Sequence, residues 1–472
     1  MVLKLLGENE VVKIYEEKMP EDFAKGEIKP LARILELSRQ GKYFCYGLYD
    51  GEIFAGYCFL VVSGERDAVL LDYFAVSEKL RGQGLGSMCL RLLKEEIRRQ
   101  NFGTLILEVE NPRFGKDEEE RLLRRRRIAF YIRNGMTLTP LRIFLYDVEY
   151  LVMTENKQEM FRTAGQIYHV YQVLLKPDKI HTKLKISTNI RCFAMDMDRT
   201  ALNERGELSE RTKNAVLEAI RKGLSVIIAS GRAYETLPKE VVSIPGVEYV
   251  ITSNGASIWH KGECIRRRVL KEESVSALWK VYERAKKKFS VAIEVFVGGK
   301  AFCEREYYED PAAFGSKRAV EYVRKTRKVP KDLEVFVREH GKELESIDFI
   351  SSDRENRERL KEQLACEIPD ISITSSIEHL IEVSGKDVSK KESLKWLLNE
   401  LHIEREECMA FGDGDNDAEM LSYAGIGVAV ENATQLAKNN ADFVTKAHFE
   451  DGVAIIMEEI LQKCVEKDER LL

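Results

Sequence analysis

The sequence has no excess of charge of one sign: 74 lysines and arginines against 79 aspartates and glutamates leave a net charge of -5. That balance gives no global attraction to nucleic acid or to an anionic membrane. No apolar run is long enough to cross a bilayer. The opening residues, MVLKLLGENEVVKIYEE, turn acidic after six positions, so no secretory signal is expected. The nine cysteines are scattered, odd in number and without a CxxC pair. A reduced, cytoplasmic setting without structural zinc is the expectation. The seven histidines form no metal-ligand spacing, and no internal repeat is visible.

What is present is length and two kinds of patterning. A chain of 472 residues is too long for one ordinary core, so at least two domains are expected. Hydrophobic residues at 44% suit a globular protein. In the first part, YFCYGLYD and EIFAGYCFLVV are strand-like runs split by Asp50-Gly51, a hairpin signal. AVLLDYFAV is a third strand. From Leu85 the apolar spacing becomes helical through Met88, Cys89, Leu92, Leu93 and Ile97. TLILEVEN reads as a strand, and RRIAFYIRNGM as a helix stopping at Asn134-Gly135. Residues 155–175 read as a helix, and the charged KPDKIHTKLK after it as a short linker.

From residue 189 the order is strand IRCFAM, helix SERTKNAVLEAIRKG, strands LSVIIAS and YVITSNG, and later helix KKESLKWLLNEL with strands CMAFGD and GIGVAV. Alternating β and α units with continuously apolar strands predict a doubly wound parallel sheet. Runs such as SVAIEVFV and DRENRERLKEQLA interrupt it. The expected organisation is a mixed α+β domain at 1–178, a parallel α/β core at 189–258 and 384–472, and an inserted α/β cap at 259–383.

In open α/β sheets ligands bind beyond the carboxyl ends of the strands. Asp196 and Asp198 follow the first core strand, Ser230 follows VIIA, Lys390 opens a helix, and Asp413, Asn416 and Asp417 follow CMAF in GDGDND. Two carboxylates at one strand end repel each other, so stability does not explain them; a bound cation does. The set supplies oxygens for a hard cation, and a hydroxyl and an ammonium for an anion. Each piece alone also suits an ordinary turn or helix cap, Thr200 and Ser230 included.

The ordered set DMDRT, IASGR, Lys390 and GDGDND, followed by AGIGVAVENA, ADFVT and EDGVA, resembles the haloacid dehalogenase superfamily over residues 189–472. Within it the match is to the Cof-like small-molecule phosphatases, which carry a large α/β cap on a Rossmann-like core. The resemblance implies that Asp196 attacks phosphorus to form an aspartyl-phosphate, and that Asp198 protonates the leaving oxygen and then activates water. It implies Mg2+ held by Asp196, the Asp198 carbonyl and Asp413, supported by Asn416 and Asp417, with Ser230 and Lys390 on the phosphoryl oxygens. Two positions depart from the pattern: Arg199 stands where a small residue, often Gly, is usual, and Lys391 where Gly often follows the lysine. Arg199 either crowds the site or reaches a second anionic group of the substrate.

RGQGLG, residues 81–86, joins a strand to a helix. Glycines allow a close backbone approach and the helix start offers free N–H groups, which suits a pyrophosphate. It is not a GxGxxG fingerprint, and no βαβ unit is expected around it. Arg81, Gly84 and Gly86, with LLDYFAVSEKLRGQGLG and FYIRNGM, resemble the GNAT acetyltransferases over residues 43–154. The resemblance implies acetyl-CoA on the backbone amides of Arg81, Gly82, Gln83, Gly84, Leu85 and Gly86, its pantetheine arm along Phe74, Ala75 and Val76, and Tyr131 as general acid. Glu108 and Glu110 are the candidates for a base, with Glu108 favoured; core packing of Tyr131 and ion pairing of Glu108 are the alternatives. The basic run RLLRRRR reads as a solvated helix face paired with the preceding KDEEE rather than a nucleic-acid contact.

The combined expectation is a phosphatase of a small phosphorylated metabolite fused to a domain that transfers an acetyl group to an amine. Two alternatives stay open: a non-catalytic acetyl-CoA-sensing module on a working phosphatase, or an acetyltransferase whose phosphatase Arg199 has disabled. Neither substrate, nor the oligomeric state, is fixed by the sequence.

Overall fold

The computed structural model describes residues 1–472 apart from 25, 83, 146–147, 156–162, 177–178, 181–182, 317–318, 378 and 464–472. Gln83 of the glycine loop therefore lies outside the described residues. The chain divides into two compact units, Met1–Thr188 and Asn189–Leu472.

The first unit is built on one sheet. Its strands are β1 (Val2–Leu5), β2 (Tyr43–Asp50), β3 (Ile53–Val62), β4 (Ala68–Val76), β5 (Thr104–Glu110), β6 (Thr137–Leu145), β7 (Val148–Thr154) and β8 (Leu184–Thr188). Their spatial order is β1-β2-β3-β4-β5-β7-β6-β8. Only β4 and β5 run parallel. Parallel neighbours need a crossover, and the helix Leu85–Gln100 supplies it. The glycine loop thus does open a βαβ unit, contrary to the sequence expectation. That helix buries Cys89, Leu90, Leu93 and Ile97, while Met88 faces outward.

The β4–β5 pairing runs from Ala68↔Thr104 to Leu71↔Leu107 and then stops, although both strands continue. Beyond that point Phe74, Ala75 and Val76 pair only with β3. Residues 184–188, of which the first two fall in the run read above as linker, add a strand beside β6. The helix Thr163–Leu174 occupies the described part of residues 155–175.

The second unit begins with β9 (Cys192–Met195), β10 (Ser225–Ala229), β11 (Tyr249–Thr252), β12 (Ser257–His260) and β13 (Glu263–Arg267). The inserted strands are β14 (Ala292–Val297), β15 (Lys300–Cys303), β16 (Arg327–Lys328), β17 (Leu344–Ile350), β18 (Ile371–Thr374) and β19 (Leu380–Gly385). The core resumes with β20 (Cys408–Gly412), β21 (Ile426–Ala429) and β22 (Phe443–Val444). The core sheet has the order β13-β12-β11-β10-β9-β20-β21-β22, parallel from β11 to β22. The insertion forms its own sheet, β16-β15-β14-β17-β19-β18. Residue 259 lies within β12, which the hairpin to β13 keeps in the core sheet, and residue 384 lies within β19 of the inserted sheet. The inserted sheet's own helices and strands therefore lie between Arg267 and Gly385 rather than between 259 and 383.

The central strands β9 and β20 are wholly buried. They carry apolar side chains on both faces, as a parallel sheet covered on two sides requires. The helix Lys390–Glu400 is fixed to the loop after β11 by Ser393 Oγ, which donates to the Gly255 carbonyl at 2.6 Å. Gly255 has φ +101, and a Cβ there would stand 2.2 Å from the Ser389 carbonyl oxygen. Gly255→Ala should therefore destabilise the fold by about 1–3 kcal/mol. Chemical denaturation followed by fluorescence measures this; an unchanged midpoint would mean that the helix start yields without cost.

Candidate active site

Asp196 follows β9 directly, where the apolar strand ends between β10 and β20. Asp413 follows β20 in the same way. The two loops meet because their strands are neighbours: Asp196 N–H donates to the Phe411 carbonyl at 3.0 Å. Lys390 is the first residue of its helix, capped by Ser389, which accepts from Glu392 N–H at 3.2 Å.

Lys390 Nζ donates to Asp196 Oδ1 at 2.6 Å and to Asp417 Oδ1 at 2.7 Å, with its side chain fully enclosed. Asp417 Oδ2 accepts from the Asp413 and Gly414 N–H groups at 3.0 and 2.9 Å. Gly412 makes room for this turn, since a Cβ there would lie 2.5 Å from Asp417 Cβ. Thr200 Oγ1 donates to Asp413 Oδ1 at 3.0 Å. The other oxygen, Asp413 Oδ2, is buried without a hydrogen-bond donor. Oxygens of Asp196, Asp413 and Asp417 lie within 4.8 Å of one another.

Burying an ion costs several kcal/mol even when paired, and here three carboxylates share one ammonium. Burial, together with Asp417, Asp413 and Asp198, pushes the Asp196 carboxyl well above the ordinary range despite Lys390. Burial and Asp417 raise Asp413 to about 7, with Arg199, Thr200 and Lys390 opposing. Burial works against the charge on Lys390, but Asp196 and Asp417 outweigh it and hold its pKa above the ordinary lysine value. An unsatisfied buried carboxylate oxygen beside two further acids suits a hard divalent cation.

The remaining predicted residues are arranged around this centre. Ser230, fully buried at the end of β10, accepts from Arg232 N–H at 3.1 Å. Asp198 points elsewhere: Arg232 clamps its carboxylate with two hydrogen bonds, Nε to Oδ2 at 2.6 Å and a second, shorter one to Oδ1. Asn416 Nδ2 donates to Asn254 Oδ1 at 2.9 Å, and Asn254 Nδ2 to Glu382 Oε1 of the inserted sheet at 3.0 Å. Arg232, Asn254 and Glu382 were missed as site residues by sequence reasoning. Arg232 stood in the quoted IASGR, and Asn254 in an Asn-Gly pair at a strand end; Glu382 gave no local signal.

Arg199 has φ +58 and ψ 12, the left-handed region, which accounts for a small residue being usual here. Its side chain lies against the site: Nε is 3.7 Å from Asp413 Oδ2, and an Nη donates to the Asn432 carbonyl at 3.3 Å. Lys391 is 3.6 Å from Glu392 and 3.8 Å from Glu419, away from the cluster.

In the first unit, Gly82 and Gly84 have φ +82 and +78 with open space where a Cβ would project. Gly86 differs, because a Cβ there would press on the Phe130 ring at 3.2 Å. Its glycine serves helix packing. Arg81 ties the loop down, donating from Nε to the Val76 carbonyl and from an Nη to Asp22, both at 3.0 Å. Leu85 starts the helix. Phe74 stacks on Phe130 at 6.3 Å. Tyr131 is buried, meets Phe130 edge-on at 5.2 Å, and burial raises its hydroxyl to about 12.

Glu108 lies one residue beyond the last β4–β5 pair. Tyr171 OH is 2.9 and 2.8 Å from its two oxygens. Burial raises Glu108 to about 7, with Tyr171 and Lys29 opposing. Glu110 is engaged instead by Arg124 at 2.8 Å and Arg127 at 3.8 Å. The basic run is thus largely ion-paired, and Arg124, expected on a solvated face, is buried between Glu110 and Glu120.

A parallel α/β core with strand-end acids, an inserted sheet and a buried lysine defines a hydrolase architecture of one kind. Residues 193–457 match the family model for haloacid dehalogenase-like hydrolases, and the chain belongs to that family. Residues 9–115 match the model for the GNAT acetyltransferase family. Among curated relatives, the 5-amino-6-(5-phospho-D-ribitylamino)uracil phosphatase YcsE of Bacillus subtilis is 28% identical over 267 residues, 56% of this chain and 94% of that protein. Phosphatase YwpJ of the same organism is 27% identical over 297 residues, 58% of this chain and 100% of that protein. A solved structure from Streptococcus mutans shares the fold, with TM-score 0.50 and 21% identity over 58% of this chain and 99% of its own.

Because the Arg199 guanidinium sits beside the free oxygen of Asp413, Arg199→Gly should tighten several-fold the binding of any divalent cation that these acids take. The unscreened attraction at such a distance is about 4 kcal/mol at an effective dielectric of about 20, reduced here by solvent. Calorimetric Mg2+ titration of both proteins tests it. Unchanged affinity would show that solvent screens the guanidinium completely.

Proposed function

We propose that the second unit is a Mg2+-dependent phosphomonoester hydrolase for a small phosphorylated metabolite, working through an aspartyl-phosphate on Asp196. The observation that carries this reading is Lys390 bridging Asp196 and Asp417 next to the undonated Asp413 oxygen. Asp196, Asp413 and the Asp198 carbonyl would hold Mg2+, with Asp417 and Asn416 bracing the loop. When bound, the ion supplies positive charge against the phosphoryl oxygens. Asp196 forms the bond to phosphorus as the ester oxygen departs, and that oxygen takes a proton from Asp198. Asp198 then removes a proton from the water that displaces phosphate from Asp196. Both steps need Asp198 to swing away from Arg232. Ser230 and Lys390 steady the phosphoryl oxygens. The boundaries we infer are a core of about 189–267 and 386–472 with the inserted sheet and helices between them.

Asp196→Asn should abolish hydrolysis of p-nitrophenyl phosphate while leaving the circular-dichroism spectrum unchanged. An unaltered turnover rate would remove Asp196 from the nucleophile's place.

We further infer that the first unit transfers acetyl from acetyl-CoA to an amine. The free edge of residues 74–76 suits the pantetheine arm, although the Val76 carbonyl already accepts from Arg81. The open positions at Gly82 and Gly84 suit the pyrophosphate. Bound acetyl-CoA supplies the acyl group. Glu108 takes the amine's proton and Tyr131 protonates the leaving thiolate. The place of Glu108 just past the last β4–β5 pair, with its carboxyl raised by burial, supports a catalytic rather than a purely sensing module, because a general base is most effective when its pKa lies near working pH. The free state of every described cysteine fits a reducing, cytoplasmic setting. Among the described residues no helix is long and apolar enough to cross a membrane.

Acetyl-transfer kcat/KM should rise as pH passes upward through about 7, since Glu108 must lose its proton to act. Glu108→Gln should remove that limb, and Gly84→Val should abolish acetyl-CoA binding in calorimetry. A pH profile unchanged by Glu108→Gln would exclude Glu108 as the base.

A further inference from the structure

The inserted sheet gives one face to its own helices, through Ile293, Val295, Ile347, Phe349, Ile381 and Val383. Strand alternation puts Glu294, Asp348 and Glu382 on the other face. The register sets Glu294 opposite Asp348, and Asp348 opposite Glu382. Three carboxylates therefore form a row across three adjacent strands. Opposed like charges destabilise a sheet, and these are buried, with 1, 5 and 4% exposure.

The outer two are satisfied. Arg327 donates to both oxygens of Glu294 at 2.7 and 2.8 Å. Glu382 accepts from Asn254 at 3.0 Å and from Ser376 N–H at 2.5 Å. Asp348, between them, has no hydrogen bond or ion pair among the described residues, only the field of its neighbours. Burial, then Glu382 and Glu294, push its carboxyl well above the ordinary range, and Arg327 offsets only part of this.

Both ends of the row reach the loops of the candidate active site. Glu382 connects through Asn254 to Asn416, and Oε1 lies 3.1 Å from where a Gly231 Cβ would stand, next to Ser230. At the other end Arg327 lies over the Tyr322 ring at 4.8 Å. The same ring carries Arg232, the partner of Asp198, at 4.5 Å. Asp348 is thus held on the sheet face that looks onto the phosphoester site.

We propose that Asp348, flanked by Glu294 and Glu382, receives a positively charged amine on the phosphate ester. The proposal rests on the phosphatase reading above and names the class of its substrate. With one guanidinium among three carboxyls, Asp348 keeps its proton while the site is empty; an arriving ammonium lets it release that proton to solvent and pair, whereas a hydroxyl does not. A metal ion is a poor fit, because the described groups close enough to share one are Asp196, Asp413 and Asp417, and Glu65, Asp67 and His169. A ligand ammonium brings charge and three donors to the carboxyl of the row that has no partner among the described residues.

The test uses full-length Asp196→Asn protein with Mg2+, so that ligands bind without turnover. Glucosamine 6-phosphate is compared with glucose 6-phosphate, and 2-aminoethyl phosphate with 2-hydroxyethyl phosphate, by calorimetry. The amine of each pair should bind about tenfold tighter or more, as a charged hydrogen bond in a buried site implies. Adding Asp348→Asn should erase that preference while binding of the hydroxyl member persists. Equal affinities within both pairs overturn the proposal, and this comparison needs no substitution in the inserted sheet. A preference that survives Asp348→Asn also overturns it. Hydrolysis of p-nitrophenyl phosphate by the unaltered protein reports separately on the phosphatase reading: amine preference without hydrolysis sinks that reading alone, and hydrolysis without preference sinks this one alone.

Discussion

The second unit is organised around a single buried ammonium. Lys390 has no exposed side-chain surface and survives there because Asp196 and Asp417 meet it from two different loops. Those carboxylates are in turn tolerable only because the lysine is present. Each partner arrives from a separate part of the chain, so the sheet order, the Gly255 contact and the Gly412 turn all serve one geometry. Replacing such a cluster with apolar side chains commonly stabilises a protein. Its retention is a functional statement: the fold spends stability to keep charge poised.

The first unit meets a similar demand differently. Where β4 and β5 part after Leu71 and Leu107, the next residues are Asp72 and Glu108. Asp72 is neutralised by Lys29 at 2.6 Å and accepts from Tyr43 at 2.5 Å. Among the described residues Glu108 receives the Tyr171 hydroxyl and no charged partner at hydrogen-bond distance, and burial outweighs Tyr171 and Lys29 to raise its pKa to about 7. In both units these buried carboxylates sit where strand pairing runs out and backbone edges and loop ends become free.

Much of this was legible in the sequence. The strands and helices around 43–136 and 189–255 follow from alternation, apolar runs and the Asp50-Gly51 and Asn134-Gly135 signals. The acids at strand ends stood out because apolar strands do not otherwise finish in carboxylates. Three features were not legible. The βαβ unit around residues 81–86 depends on which strand β4 chooses as neighbour, a non-local matter. The strand at 184–188 is short and charged, and pairing with β6 decides it. The contacts of Asp198 with Arg232 and of Asn416 through Asn254 to Glu382 join segments far apart in sequence, and no local periodicity encodes them. Arg199 was visible as a departure, but only its positive φ explains what it departs from.

The inserted sheet leaves the core after Arg267 and returns at Gly385, five residues before Lys390. The described strands between them form a sheet with its own apolar cluster on one face. The opposite face is tied to the core instead, since Glu382 there reaches Asn416 through Asn254. The insertion thus has a core of its own on one face and a tether to the acidic cluster on the other, so a change absorbed within the first need not reach the second.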